Sequence, residues 1–336
     1  MPLSGVLQPL LLPLSWLYAA AAGFDAARRL RRAYHSRLPV ISVGSISVGG
    51  SGKTPLVQLL IERLQHDRPV AVLSRGYGRR GSEERLWRVG EARPDPEILG
   101  DEPALLARSL ERGAIAVGPD RARLLERLES SLPGAVVLLD DGFQHRQLAR
   151  DVDIVVIDGI TARGPHRRLP AGRLREAPSA ISRADMVVAT SLTARAFALR
   201  YVPAEKIHDA GIAARGVRSL NGGGLLPFGT DVVLVTGIAR PERARETLLE
   251  LGMKVVRHVK FPDHHRYRMS SIARIERELA RHQGAVLVTT LKDSVKLERV
   301  EALAPLLHVV DVAMRMSDEE RFLRAIRERL AQSGKR

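Results

Sequence analysis

The 336-residue chain contains no cysteine, which excludes disulfides, thiolate nucleophiles and zinc–thiolate sites and leaves a reducing cytoplasm open to it. Aromatic residues make up only 4%, too few for the stacking platforms that hold single-stranded nucleic acid. Lysine is scarce where arginine is abundant: seven lysines stand against 46 arginines, and Lys53 is the only lysine before Lys206. A GC-rich genome would account for most of that arginine. The solitary lysine calls for a reason tied to ammonium geometry. What remains is ordinary for a globular protein, with 45% apolar and 27% charged residues, and the length fits two domains with their own cores. The formal charge of +15 points to an anionic partner: nucleic acid, an acidic membrane surface or a phosphorylated substrate.

Residues Val6 to Phe24 form an apolar stretch of marginal spanning length, interrupted by Gln8, Pro9, Pro13 and Ser15. A secretory signal carries its positive charge before the apolar run, whereas here Arg28, Arg29, Arg31, Arg32 and Arg37 follow it. That order fits a segment dipping into a membrane and held at an anionic cytoplasmic face, with Trp16 and Tyr18 at headgroup level. The competing reading is a helix packed on the protein's own core.

After Pro39 a strand–turn–helix pattern repeats. Apolar runs at 40–44, 69–76, 114–118, 135–141, 153–158 and 185–191 alternate with amphipathic stretches such as 56–66 and 121–130. Such alternation indicates a mostly parallel sheet covered on both faces. Residues 160–183 read as an ordered loop rich in Arg, Pro and Gly. The composition changes around 221–224, and a second α/β pattern starts at 232–237. The expected organisation is a membrane-associating segment (1–36), a core (37–206), a linker (207–224), a smaller α/β domain (225–305) and a return strand with a C-terminal helix (306–336). The stretches around 207–219 and 306–316 flank the smaller domain and could pair.

Gly49, Gly50, Ser51, Gly52, Lys53 and Thr54 follow the first strand and open a helix. Backbone N–H groups and a helix N-terminus at such a turn hold phosphate oxygens. Lys53 would reach the β- and γ-phosphates of a nucleotide, and the Thr54 hydroxyl a Mg²⁺ ion. Ser47 stands where the strict phosphate-loop pattern has glycine, and Gly49 and Gly50 compensate. The loop and the lone lysine point independently to nucleotide binding.

Carboxylates stand where such an enzyme keeps its magnesium. Asp140 and Asp141 end an apolar run, and adjacent side chains on an extended strand point to opposite faces, so different tasks are expected of them. Asp101 and Glu102 open a helix, either as N-terminal acids or as site residues. Asp120 is a cap candidate that leaves Arg121 facing the nucleotide, and Arg175 and Glu176 lie in the basic loop. Asp263, His264 and His265 follow a later strand. Without cysteine or a helical H-x-x-x-H, a His–carboxylate pair is a better reading there than a metal site. Leu291 breaks the guanine-reading pattern in TLKDSVK, and no D-x-x-G switch stands out, which disfavours a GTPase.

Taken together, VGSISVGGSGKTP, LSRGYGR, GDEP, GPDR, DDGFQH, LREAP, FPDHH and TLKDSVK closely resemble the tetraacyldisaccharide 4′-kinase family, the lipid A 4′-kinases of Gram-negative bacteria. The resemblance runs from the apolar N-terminus to about residue 300, with Ser45 where asparagine is expected. It implies a P-loop kinase core and ATP-dependent phosphorylation of the 4′-hydroxyl of a tetraacylated glucosamine disaccharide 1-phosphate, at the cytoplasmic face of the inner membrane. It further implies that Asp101 paired with His264 deprotonates or orients the sugar hydroxyl, and that Lys53 and Thr54 hold phosphate and Mg²⁺. Arg121 and Arg175 would neutralise the γ-phosphate, while Glu102, Asp140, Asp141, Glu176 and His145 complete the metal and phosphate shell. The competing functions are a P-loop kinase or ATPase of another substrate, a nucleic-acid-binding ATPase and a regulatory nucleotide switch. The low aromatic content and the lack of a nucleic-acid-binding motif argue against nucleic acid.

Overall fold

The computed structural model describes Ser15 and residues 33–333. The apolar N-terminal segment, apart from Ser15, lies outside the described residues. Short apolar runs rich in valine and isoleucine form the strands: β1 (Val40–Gly44), β2 (Val70–Ser74), β3 (Arg85–Arg88), β4 (Gly113–Val117), β5 (Val136–Asp140), β6 (Val152–Ile157), β7 (Met186–Ala189), β8 (Ile207–Ser219), β9 (Asp231–Thr236), β10 (Lys254–Lys260), β11 (Val286–Thr290) and β12 (His308–Met316). The helices between them are α1 (Lys53–Leu64), α2 (Pro96–Leu99), α3 (Asp101–Ala107), α4 (Arg121–Ser131), α5 (Gly159–Arg163), α6 (Leu192–Ala198), α7 (Pro241–Glu250), α8 (Met269–Arg281), α9 (Leu291–Leu297) and α10 (Glu319–Ser333).

All twelve strands join one sheet, in the order β10-β9-β11-β12-β8-β7-β6-β1-β5-β2-β4-β3. Every pairing is parallel except β3 with β4 and β8 with β12. The alternating strand–helix pattern thus gives the expected mostly parallel α/β sheet, because crossovers, most of them helical, return the chain to the same strand direction; β5 and β6 are joined without a helix. From β1 the chain crosses to β2 on one side and later returns on β6 at the other. That reversal opens a crevice beyond the carboxyl ends of the central strands, where ligands of open α/β sheets bind. Val43 near the end of β1 is in register with Asp140 at the end of β5, so the turns after the two strands lie side by side.

Both faces of the sheet are packed. Ile41, Val43, Leu56, Leu60, Ile61, Leu106 and Ile115 form one core, which Phe322 and Ile326 of α10 complete. Ala71, Leu73, Leu124, Leu125 and Leu128 fill the opposite face. The same alternation divides β9, whose Val233 and Val235 pack with Ile275 of α8 while Val232 and Leu234 pack with Leu248 of α7. The two halves of the sheet meet at β8. Its first residues run parallel to β7, and the rest pairs antiparallel with β12 from Ala210↔Met316 to Ser219↔His308.

Helix α1 begins at Lys53, three residues before the apolar periodicity at Leu56, because Pro55 is tolerated in a first turn that still lacks hydrogen-bonded N–H groups. Within 160–183 the loop contains α5 and a 3₁₀ turn at Pro178–Arg183. No helix among the described residues is long and apolar enough to cross a membrane.

Candidate active site

The turn between β1 and α1 runs through Gly49 (φ 100°) and Gly52 (φ 95°), left-handed conformations that favour glycine. Ser51 N–H donates to Gly49 O at 2.9 Å, closing a tight loop. Two bonds from the basic loop brace it: Val48 N–H donates to Arg173 O (2.9 Å), and Arg175 N–H to Ile46 O (2.8 Å). At its N-terminus α1 has neither a side-chain cap nor an acidic residue in the first turn. Helix α4, in contrast, is capped by the Asp120 carboxylate, and α9 by the Thr290 hydroxyl. The free N–H groups of α1 therefore leave an anion-binding position at Gly50–Thr54.

Lys53, in the first turn of α1, directs Nζ to within 3.4 Å of Ser51 Oγ and 3.5 Å of Asp141 Oδ1. Asp141 does not continue strand β5. Its φ of 50° turns the chain out of the extended state, so the opposite-face alternation expected for Asp140 and Asp141 does not apply. Both carboxylates instead feel Lys53. Burial would raise the Asp141 pKa, but Lys53, Arg175 and Arg121 outweigh it and hold the carboxyl below its ordinary value. Arg175 Nη1 donates to Asp141 Oδ2 at 2.6 Å.

Asp140 is the buried partner. Its Oδ2 accepts from Ser74 Oγ at the end of β2 (3.1 Å), while Oδ1 is shut away from water without a hydrogen bond among the described residues. Burial, followed by the nearby Glu102 and Asp141 carboxylates, pushes Asp140 up to about 7. Arg121, the first residue of α4, is 5% exposed and stands close to Asp140 and Asp141, with Nη1 donating to no neighbour among the described residues. Burial lowers its pKa, and the two carboxylates oppose that shift.

The remaining candidates divide. Asp101 opens α3 and is 8% exposed; its Oδ2 lies 3.1 Å from His264 Nδ1 and 2.8 Å from Lys296 Nζ. Burial acts to raise Asp101, and the His264 hydrogen bond and Lys296 overcome it. Glu102 lies 3.5 Å from Lys292 Nζ and also acts on Asp140, so the phosphate turn and the Asp101–His264 pair adjoin. Glu176 is engaged elsewhere. Arg183 grips its carboxylate at 2.6 Å, and Gln144 Nε2 donates to it at 2.9 Å. Gln144 Oε1 accepts from Arg175 (3.2 Å), so Glu176 connects to the centre through that chain. His145 lies in the turn after β5, its N–H donating to Gly142 O. The two neighbouring histidines separate: His264 faces Asp101, while His265 stacks on Phe261 and bonds Ser271 Oγ at 2.7 Å.

Three residues of this site carried no role in the sequence reading. Tyr77 presents its ring edge to His264 at 5.1 Å between centroids, and Lys292 and Lys296 contact the pair itself. Lysine scarcity was the available signal, because Lys53, Lys292 and Lys296 are three of the seven. Among the described residues no three His, Asp or Glu side chains converge on one metal position.

Residues 7–331 match the family model of tetraacyldisaccharide-1-P 4′-kinase. The chain belongs to this family. A tetraacyldisaccharide 4′-kinase of Anaeromyxobacter dehalogenans (strain 2CP-C) is 39% identical over 86% of this chain and 82% of its own length. One from Syntrophotalea carbinolica is 37% identical over 92% and 88%. Among solved structures, LpxK from Aquifex aeolicus in complex with ATP superposes with a TM-score of 0.80 at 29% identity, covering 96% of this chain and 99% of that one. The uncapped α1 turn, the buried Asp140 and the Asp101–His264 pair are thus features of a tetraacyldisaccharide 4′-kinase family member.

Proposed function

We propose that the protein transfers the γ-phosphoryl group of ATP to the 4′-hydroxyl of a tetraacylated glucosamine disaccharide 1-phosphate, forming the lipid A precursor lipid IVA. One observation carries the reading: an anion-binding helix terminus bearing Lys53 adjoins a carboxylate–histidine pair able to handle a hydroxyl proton. Gly49, Gly50, Ser51 and Gly52 wrap the phosphates with backbone N–H groups, and Lys53 neutralises their oxygens. Arg121 and Arg175 supply positive charge for the transferring group. Asp101 receives or orients the sugar hydroxyl proton, with His264 aligning it. Glu176, through Gln144, orients Arg175.

The residues fit magnesium. Asp140 carries a buried orphaned oxygen, and burial together with the neighbouring carboxylates disfavours its charged form, so a cation there would stabilise it; Mg²⁺ needs only one or two carboxylates beside water and phosphate. Asp140 and the Thr54 hydroxyl would hold it, with Asp141 and Glu102 acting from outside its direct ligands, and when bound it would supply charge neutralisation at the β- and γ-phosphates.

Residues 37–206 would then form the kinase core and 225–305 the smaller domain, with the cleft between them excluding water. The apolar segment 6–24 and its following arginines would keep the enzyme at the cytoplasmic face of the inner membrane, where the acylated substrate resides. Incubation with [γ-³²P]ATP and the disaccharide lipid tests the reading: label in the extracted lipid is expected, and its absence with correctly folded protein rejects it.

A further inference from the structure

Lys292 and Lys296 lie four residues apart on α9, hence on one helical face, and each ammonium meets a different member of the Asp101–His264 pair. Lys296 Nζ is 2.8 Å from Asp101 Oδ2, and Lys292 Nζ is 3.2 Å from His264 Nε2. An ammonium donates three hydrogens and accepts none. Nε2 of His264 must therefore accept, and the ring proton of the neutral imidazole stands on Nδ1, facing Asp101 Oδ2 at 3.1 Å. One tautomer is selected. Both side-chain hydrogen bonds of Asp101 then end on Oδ2, which leaves Oδ1 for another partner.

The helix carrying the lysines is held against the helix carrying the acid. Val295 packs on Ala104 and Leu105 of α3, with Leu291 beside them. Between the lysines, Asp293 is fully buried, and its Oδ2 accepts from Gly237 N–H (2.9 Å) and Thr290 Oγ1 (2.8 Å). Each lysine is also confined. Lys292 Nζ has Glu102 Oε1 and Asp263 Oδ1 at 3.5 Å, and Lys296 Nζ stands 5.6 Å from the Tyr267 ring centre. An arginine fork, planar and with five donors, would not fit two such point contacts, which gives a physical reason for lysine in a chain of 46 arginines.

We infer that Lys292 and Lys296 are positioning residues: Lys292 fixes the Nδ1–H tautomer of His264, and Lys296 with His264 occupies Asp101 Oδ2, so that Oδ1 takes the acceptor proton. The inference rests on the kinase reading above for its chemistry. In that step the acceptor O–H bond breaks and its proton passes to Asp101 Oδ1. The freed oxygen bonds the γ-phosphorus, the bond from that phosphorus to the bridging oxygen breaks, and ADP leaves with the electron pair.

Two readouts on the full chain test this. The first is the ¹⁵N spectrum of the His264 imidazole, assigned by its loss in His264→Gln. The wild type shows a protonated Nδ1 and an accepting Nε2. Lys292→Met loses that single pattern, whereas Lys292→Gln, whose amide still donates, retains it. The second is turnover of magnesium-ATP with tetraacyl glucosamine disaccharide 1-phosphate in detergent. Lys292→Met and Lys296→Met lower kcat roughly 10- to 100-fold, below the roughly 10²- to 10⁴-fold of a proton-transfer group itself, with the KM for ATP little changed. Should a methionine variant fail to fold, Lys296→Asn, too short to reach Asp101, provides the same kinetic test. A proton on Nε2 in the wild type, an unchanged tautomer in Lys292→Met, or wild-type kcat in the variants overturns the assignment. Absence of any lipid product from the wild type rejects the kinase reading instead, and the ¹⁵N spectrum still decides the tautomer.

Discussion

His264 Nδ1 lies 3.1 Å from Asp101 Oδ2, although 163 residues separate them in the chain. Groups that meet in this way act as a unit, so their losses should not multiply. Asp101→Ala and His264→Ala are each expected to lower kcat by about 10²- to 10⁴-fold with little effect on ATP binding. The double variant should cost much less than the product of the singles. Steady-state kinetics of the four proteins checks this, and full additivity would show that the two side chains work separately.

Lys53 is expected to matter for transfer more than for folding. Its ammonium approaches Ser51 and Asp141 on the rim of the anion position rather than in the core. Lys53→Ala should lower kcat/KM by roughly 10²–10³, the scale of losing one preorganised charge-stabilising donor. Circular dichroism and the labelled-ATP assay on the same preparation separate the two effects.

The turns after β1 and β5 are held in contact by a missing side chain. A Cβ on Gly44 would lie 2.4 Å from Phe143 Cβ and 2.6 Å from Phe143 N, so Gly44→Ala must displace the turn that follows Asp140 and Asp141. Overpacking of this kind costs about 1–3 kcal/mol. At Gly50 a Cβ would meet nothing within 4 Å among the described residues. Gly50→Ala should therefore leave stability within about 0.5 kcal/mol of wild type. It should nevertheless weaken ATP binding, because the methyl group intrudes where phosphate approaches the backbone. Urea denaturation with nucleotide titration distinguishes the pair.

His208 gives the fold a pH dependence of known sign. It is buried on β8, edge-on to Phe322 of α10 at 5.2 Å between centroids. Burial first, and Arg321 second, lower its pKa from 6.5 to about 4. The folded state then refuses a proton that the unfolded chain accepts. The His208 contribution is complete above about pH 6.5 and is lost as the pH falls toward 4. Thermal melting of wild type and His208→Gln between pH 7.5 and 5 should show a flatter slope in the variant; equal slopes would assign the dependence to other groups.

Much of this was legible in the residues. The run Val40–Gly44 followed by Gly49–Thr54 announces a strand, a phosphate turn and a helix, and the apolar runs of the core announce parallel strands. Edge strand β3 is not legible, because Arg85-Leu86-Trp87-Arg88 is four residues long with arginine at both ends. Asp140 and Asp141 misled for a local reason, since the positive φ at Asp141 cannot be read from an apolar run ending in two acids. Lys292 and Lys296 take their role from the docking of α9 on α3; i, i+4 spacing shows a shared face but not what that face touches. Asp101 with His264 was legible only through the family resemblance, for no local pattern joins residues so far apart.

The most direct test of the kinase reading is where the phosphate goes. Purified full-length protein should be incubated with magnesium-ATP and tetraacyl glucosamine disaccharide 1-phosphate, and the product analysed by ³¹P–¹H correlation. The expected result is one new phosphate monoester coupled to the 4′ proton, formed by wild type and lost in Lys53→Ala and Asp101→Ala. A phosphate on any other hydroxyl, or ATP hydrolysis with the lipid unchanged, would contradict it.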